Sequence, residues 1–299
     1  MQILSGRRFG VSVVAFSPDG QYVAAGGRSG ADVWDLTDPA TKPAPFPLGH
    51  ITKAAFLPDS RLLVYGLPGA LFVCDLPESG ATPPAVRGSL IHWFALSADG
   101  SRLFTCRAGA ALRADDTADL PAVAELWSRR AGRDRRYQPS ALAASADRVA
   151  VAEVNQIRAG SWCLLIIRDA ETGKEVDRAG CDYTQPHRLA FSPDGRRLLL
   201  QAGASLCVWE TADTLKKPLK AVNPGRSHIL DLAYHPSGKV LATVGNDRVV
   251  RFWDTTTWAE ARAFEWNIGK LRAVAFSPDG TRAATGSHTG RVLVWDVDV

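Results

Sequence analysis

The segment SRRAGRDRRYQ at 128–138 places Arg129, Arg130, Arg133, Arg135 and Arg136 within eight residues, beside Tyr137. A guanidinium group presents a planar fork of N–H donors that matches carboxylate and phosphate oxygens, so this composition suits an anion. Arg28, Arg158, Lys270 and Arg272 add cations elsewhere in the chain. Histidine forms the second candidate set, with His50, His92, His187, His228 and His288 at recurring points. Imidazole binds metals and titrates near neutral pH. A metal, however, needs its nitrogen ligands about 2.0–2.1 Å from one point, and these residues are spread along the chain.

Catalytic patterns are missing. ETGKE at 171–175 has a Gly-Lys pair but neither the upstream glycine nor the hydroxyl of a phosphate-cradling loop. No HExxH occurs, and GGRSG (26–30) and GSHTG (286–290) lack the central serine of a nucleophile elbow. No carboxylate pairs or oxygen-ligand sets recur at equivalent places, as glycoside hydrolysis or calcium binding would require. The expectation is no catalytic residue, no metal and no cofactor.

The elements that must carry these residues are short strands. VVAFSPDG at 13–20 is an apolar run ending in a Pro-Asp-Gly reversal, and Tyr22 opens a second apolar run. Proline presets φ in a tight turn, aspartate suits the next position and glycine relieves the last. The phrase returns as LAFSPDG (189–195) and AVAFSPDG (273–280), and in degraded form as FLPDS (56–60), LSADG (96–100), ASADR (144–148) and YHPSG (234–238). The third turn residues, Asp19, Asp59, Asp99, Asp147, Asp194, Ser237 and Asp279, are spaced by 40, 40, 48, 47, 43 and 42 positions. A second mark follows about fifteen residues later, as DVWDL (32–36), FVCDL (72–76), LIIRD (165–169), CVWET (207–211), RFWDT (251–255) and LVWDV (293–297). The unit is strand a, tight turn, strand b, loop, strand c, then a variable strand d.

Composition agrees with a globular chain: 46% of the 299 residues are hydrophobic and 22% charged. The net charge of +4 permits an acidic partner without demanding nucleic acid. No apolar run approaches the ~20 residues of a membrane span, and MQILSGRRFG lacks a signal-peptide apolar core. Five cysteines with no CxxC pair fit reduced thiols and a cytoplasmic location. Cys163 and Cys181 lie symmetrically about the turn-like AETG at 170–173, where a hairpin would set them face to face. An arginine-rich, lysine-poor balance points to a bacterial source.

With seven such units in register, the sequence resembles the WD40 repeat family over essentially its whole length. The resemblance implies an all-β, seven-bladed β-propeller of four-stranded antiparallel blades, residues 1–299 forming one domain. Units 1, 5, 6 and 7 carry Trp34, Trp209, Trp253 and Trp295 at the end of strand c; unit 2 has Cys74 there, and units 3 and 4 are eroded. These tryptophans are expected in the core, and Trp162, Trp258 and Trp266 are read as packing residues. In unit 6, Thr243, Asp247 and Trp253 match three places of the family's buried polar network, while Thr289 replaces the Asp in unit 7. The strand-like Gln2–Ser5 is expected to supply the missing outer strand of the last blade. In such a propeller the d–a and b–c loops open on one face, the top. That face would bear the arginine segment before strand a of unit 4, Arg158, Arg28, Lys270, Arg272, His92, His187 and His288. The implied function is a non-catalytic protein-binding scaffold, monomeric by itself, whose partner has an acidic surface or segment. The alternatives are an enzyme or small-ligand binder at the channel mouth, and nucleic-acid binding through the arginines.

Overall fold

The computed structural model describes residues 1–6, 10–38, 42–66, 69–76, 85–87, 91–107, 111–120, 125–130, 137–155, 163–181, 186–212, 215, 218–222 and 228–298. Its local unit is the wired reversal after strand a. Ser17 Oγ donates to Asp19 Oδ1 at 2.5 Å and accepts the Tyr22 N–H at 2.8 Å, while Gly20 takes φ 70°. The same Ser–Asp bond recurs at Ser97–Asp99, Ser192–Asp194 and Ser277–Asp279, and Gly100, Gly195 and Gly280 take φ values of 71°, 70° and 75°. A side chain would strain this left-handed turn, which is why glycine closes the phrase. The Ser277 hydroxyl, helped by Thr281, holds the Asp279 carboxyl down to about 2.

These reversals join strands into seven four-stranded antiparallel sheets. After β1 (Gln2–Ser5), blade 1 comprises β2 (Val11–Phe16), β3 (Tyr22–Gly27), β4 (Gly30–Asp35) and β5 (Ala44–Phe46). Blade 2 is β6 (Ile51–Phe56), β7 (Leu62–Gly66), β8 (Ala70–Cys74) and β9 (Ala85–Arg87); blade 3 is β10 (Ile91–Leu96), β11 (Arg102–Arg107), β12 (Ala111–Asp116) and β13 (Glu125–Arg130). Blade 4 holds β14 (Tyr137–Ala144), β15 (Arg148–Asn155), β16 (Cys163–Asp169) and β17 (Glu175–Cys181). Blade 5 holds β18 (Pro186–Phe191), β19 (Arg197–Ala202), β20 (Ser205–Glu210) and β21 (Lys220–Val222). Blade 6 is β22 (Ile229–Tyr234), β23 (Val240–Gly245), β24 (Val249–Asp254) and β25 (Glu260–Glu265). Blade 7 takes β26 (Leu271–Phe276), β27 (Arg282–Ser287) and β28 (Arg291–Asp296), and β1 completes it by pairing with β28 from Gln2↔Val294 to Ser5↔Arg291. The expected closure by Gln2–Ser5 is therefore observed, and it covers an edge that would otherwise expose unpaired backbone groups.

The chain divides into two compact units, residues 1–89 with 227–299, and residues 90–226. In the first, the initial strands of the blades neighbour one another in the order β22, β26, β2, β6; in the second the order is β10, β14, β18. Between blades lie apolar seams. Leu4, Val14, Trp34, Ala284 and Val292 fill the seam of blades 7 and 1, and Phe252, Leu271, Val274, Leu293 and Trp295 that of blades 6 and 7. In the second unit, Phe104, Trp127, Leu142 and Val151 pack blade 3 on blade 4, and Cys163, Ile167, Leu189, Leu198 and Trp209 pack blade 4 on blade 5. Trp266, stacked on Phe264 at 5.7 Å, and Trp258, buried in a turn, are packing residues as expected; Trp162 lies outside the described residues.

One register position recurs in every blade. Opposite the start of strand b stand Trp34, Trp209, Trp253 and Trp295 (paired with Val23, Leu198, Leu241 and Ala283). In the remaining blades the same place holds Cys74, Asp115 and Arg168, opposite Leu62, Leu103 and Val149. Asp115 is fully buried and accepts a hydrogen bond from Arg113 Nε at 2.6 Å. Arg168 donates to the Gly173 carbonyl at 3.2 Å. Of the expected polar network, the Trp253 Nε1 bond to Thr243 Oγ1 is present at 2.9 Å. Asp247 instead pairs with Arg251 at 2.5 Å.

Candidate functional site

Strand a carries the same irregularity in every blade. The register slips between Val11 and Val13, Ile51 and Lys53, Ile91 and Trp93, Pro139 and Ala141, Pro186 and Arg188, Ile229 and Asp231, and Leu271 and Ala273. Each slip skips one residue in the strand-a to strand-b register: Ser12, Thr52, His92, Ser140, His187, Leu230 and Arg272. A β-bulge bends its strand and re-aims the extra side chain. His187 and Arg272 are exposed, and Ser12, Thr52, Ser140 and Leu230 are half-buried, whereas the residue before each of these six is buried. Three residues singled out in the sequence, His92, His187 and Arg272, thus occupy one structural position in their respective blades. The two histidines sit inside strand a, not ahead of it. The sequence carried no sign of the slip, because a bulge exists only relative to a paired strand.

His288 and Lys270 are joined in blade 7. The Lys270 N–H donates to His288 Nδ1 at 2.9 Å, and the His288 N–H donates to the Lys270 carbonyl at 2.9 Å. Because Nδ1 accepts, the neutral ring carries its proton on Nε2. Gly269 has φ 103°, and a Cβ there would meet the imidazole at 2.7 Å, so glycine is required beside His288. Thr289 Oγ1 donates to the Ile268 carbonyl at 2.8 Å, adding a second tie between the b–c turn and the d–a connection. This corner therefore holds Lys270, Arg272 and His288, all exposed, on a wired backbone. Arg28 is exposed in the β3–β4 turn of blade 1.

The arginine segment is divided by the fold. The backbone of Arg129 and Arg130 ends β13, paired with Leu112 and Ala111, so these two close blade 3 instead of leading into blade 4. An outermost strand tolerates charged residues because one edge faces water. Tyr137 opens β14 opposite Asn155. Arg133, Arg135, Arg136 and Arg158 lie outside the described residues.

Two further polar groups bear on chemistry. A cavity of ≈ 20 Å³ at the β3–β4 turn is lined by Val11, Ser29, Asp32, Trp34 and Gly290. That volume holds about one water. Glu153 of β15 is fully buried, and among the described residues neither carboxylate oxygen has a hydrogen-bond partner. Burial pushes its carboxyl up to about 7, against the opposing pull of Arg168 and Arg178. Among the described residues no group of three or more His, Cys, Asp or Glu side chains could hold a metal, and no helix is long and apolar enough to cross a membrane.

The family model described as "WD domain, G-beta repeat" matches residues 1–35, 217–254 and 265–296. Pre-mRNA-processing factor 19 of Oryza sativa is 24% identical over 135 residues, covering 45% of this chain and 23% of that protein. Human Coronin-7 is 29% identical over 126 residues, covering 42% of this chain and 13% of its own length. The serine-threonine kinase receptor-associated protein of Gallus gallus is 27% identical over 111 residues, covering 37% of this chain and 31% of that protein. The chain thus spans less than a third of the length of these relatives. Among solved structures, the β-propeller domain of Myceliophteria thermophila Cps50 (Swd1) superposes with a TM-score of 0.78 at 17% identity, covering 99% of this chain and 98% of that one. Three stretches of the chain thus match WD40 repeats, and its fold is that of an all-β, seven-bladed β-propeller.

Proposed function

We propose that residues 1–299 act as one non-catalytic, monomeric platform that binds another protein in the cytoplasm. The contact runs through the end of the blades that bears the strand-a bulges and the b–c turns. The carrying observation is the repeated bulge, which offers Ser12, Thr52, His92, Ser140, His187, Leu230 and Arg272 from fixed backbone positions. Side chains held on strands lose little ordering entropy when a partner docks. The cations Arg28, Lys270 and Arg272, with Arg129, Arg130, Arg133, Arg135, Arg136 and Arg158, favour a partner with an acidic surface or segment. Tyr137 follows this segment directly in the sequence, and aromatic residues together with arginine are common at binding hot spots.

The test is affinity capture from the source organism with the full chain. Wild type is compared with Lys270→Ala/Arg272→Ala and with Arg133→Ala/Arg135→Ala/Arg136→Ala. For Lys270→Ala/Arg272→Ala folding should be nearly unchanged, since both residues are exposed and such substitutions rarely cost more than ~0.5 kcal/mol each. Capture of the specific partner should fall about tenfold, equivalent to ~1.4 kcal/mol. Equal capture by both variants overturns the assignment of this end. Capture lost steeply with salt and abolished by RNA or DNA competition would mark a nucleic-acid ligand instead.

A further inference from the structure

Cys163 opens β16 and Cys181 ends β17, and the two are direct register partners on adjacent antiparallel strands. Directly opposed residues have Cα atoms about 4.5–5.5 Å apart, inside the range of ~4.4–6.8 Å that a disulfide bridges. Neither cysteine is in a disulfide in this structure, and the Cys181 thiol donates to the Ala179 carbonyl at 4.0 Å. Neither has another cysteine's competition in its own sheet, since Cys74, Cys106 and Cys207 belong to blades 2, 3 and 5. Cys207 is paired with Leu200 and Ala221, Cys106 with Trp93 and Leu112, and Cys74 with Leu62.

We propose that Cys163 and Cys181 form a thiol–disulfide exchange site, closed to a reversible cross-strand disulfide by a low-molecular-weight disulfide such as oxidised glutathione.

Access comes through the outer strand. Cys163 is 1% exposed and Cys181 6%, but β17 has one side open, with Glu175, Val176, Arg178 and Gly180 exposed. Among the described residues, a Cβ at Gly180, next to Cys181, would meet nothing within 4 Å. The end of an edge strand opens at low free energy compared with a central one. Cys181 is accordingly the first to react. Its thiolate attacks one sulfur of the small disulfide, forming a mixed disulfide and releasing one small thiol after protonation. Cys163 then loses its proton to solvent, and its thiolate attacks the Cys181 sulfur and expels the second small thiol. The two cysteines lose two electrons and two protons, and the small disulfide becomes two thiols. The hydrogen bond to Cys181, together with burial, pushes the Cys163 thiol up, which keeps it protonated until its partner is activated. Burial likewise holds the Cys74 thiol up at about 12, so that cysteine serves as an inert internal control.

The row Gln138, Val154, Cys163 and Cys181 crosses all four strands, one step from the Tyr137–Asn155 pair. Oxidation would clamp the end of blade 4 at which the arginine segment joins β14. The bond itself does not depend on what binds there.

The experiment incubates the folded full-length chain across ratios of reduced to oxidised glutathione, alkylates free thiols, and reads intact mass and peptides. The expected product is a Cys163–Cys181 link with the other three cysteines alkylated, reversed by dithiothreitol and accompanied by a rise of several degrees in Tm. Cys163→Ser should accumulate a glutathione adduct on Cys181, and Cys207→Ala should behave as wild type. Wild-type mapping stands even if a cysteine variant fails to fold. A link seen only after unfolding in denaturant, a link to Cys74, Cys106 or Cys207, or five alkylated cysteines at every ratio overturns the proposal.

Discussion

The two compact units solve one packing problem with different chemistry. In the unit of residues 1–89 and 227–299, three of four blades place tryptophan opposite the start of strand b, at Trp34, Trp253 and Trp295. In residues 90–226 only blade 5 does so, with Trp209; blades 3 and 4 use Asp115 and Arg168. An indole fills the seam by area and needs at most one partner for its N–H. A buried charge fills the same volume but must be paired, because its desolvation cost is large. Asp115 has Arg113, which also reaches Glu125 at 2.5 Å, and Arg168 has the Gly173 carbonyl with Glu175 at 3.8 Å. At one register position, an indole or a buried ion pair is accommodated.

A related contrast separates the blades at their reversals. In blades 3, 5 and 6, a threonine after strand c donates to the turn glycine's carbonyl: Thr117 to Gly100 at 2.7 Å, Thr211 to Gly195 at 2.8 Å, and Thr255 to Gly238 at 2.7 Å. Blades 1 and 7 have Leu36 and Val297 at that place. There the preceding blade supplies the donor, Arg282 to Gly20 at 2.7 Å and His235 Nε2 to Gly280 at 3.0 Å. These two carbonyls therefore tie blades together, while the other three tie a blade to itself.

The largest effect expected is from Trp295→Ala, which should lower stability by about 3–5 kcal/mol, as read by denaturant unfolding. Trp253→Ala should match it and also orphan Thr243; a variant of wild-type stability would show that the indole is not what fills the seam.

Next comes the substitution that breaks the ion-pair alternative. Asp115→Ala should cost about 2–4 kcal/mol, less than the ~3–5 of a closed pair because Arg113 is partly exposed and keeps Glu125. Asp115→Leu should recover most of that loss. Equal destabilisation by both would mean that the carboxylate, and not its volume, is required.

His235→Ala should cost about 1–3 kcal/mol by leaving the Gly280 carbonyl without its donor. Adding Val297→Thr supplies the donor used by blades 3, 5 and 6, and should restore roughly 1 kcal/mol. No recovery in the double variant would separate the two kinds of reversal by more than their hydrogen bond.

The smallest effect is pH-dependent. Glu153 has its folded pKa raised from 4.5 to about 7 by burial. The folded state therefore favours the neutral acid: its advantage is complete below the unfolded value and is lost as pH rises through about 7. Glu153→Gln should thus raise Tm at pH 8 relative to wild type and change it little at pH 4. An equal shift at both values would show that the carboxyl is not buried as a lone acid.

The Ser-Pro-Asp-Gly reversals, the seven-fold repeat and the pairing of Gln2–Ser5 into the last blade could all be read from the residues. The first two rest on contacts a few positions apart or on periodicity. The third joins residues almost the whole chain apart, and was legible because seven four-stranded units need one more outer strand than the repeats supply. The symmetric placing of Cys163 and Cys181 about the turn at 170–173 left open that they face each other, and the register of β16 and β17 makes them partners. Of the candidate site, the residue types were legible but their places were not. His92, His187 and Arg272 became equivalent only through a bulge, which is a property of two paired strands. His235 reads as a degraded turn residue, yet its Nε2 partner lies 45 positions away, and the partner of Arg282 lies 262 away. That Asp115 and Arg168 stand where other blades have tryptophan followed from register, which a sequence of mixed polar residues does not announce. Short-range hydrogen bonding was written in the chain; the partners across seams were decided by which strands the folded sheets brought together.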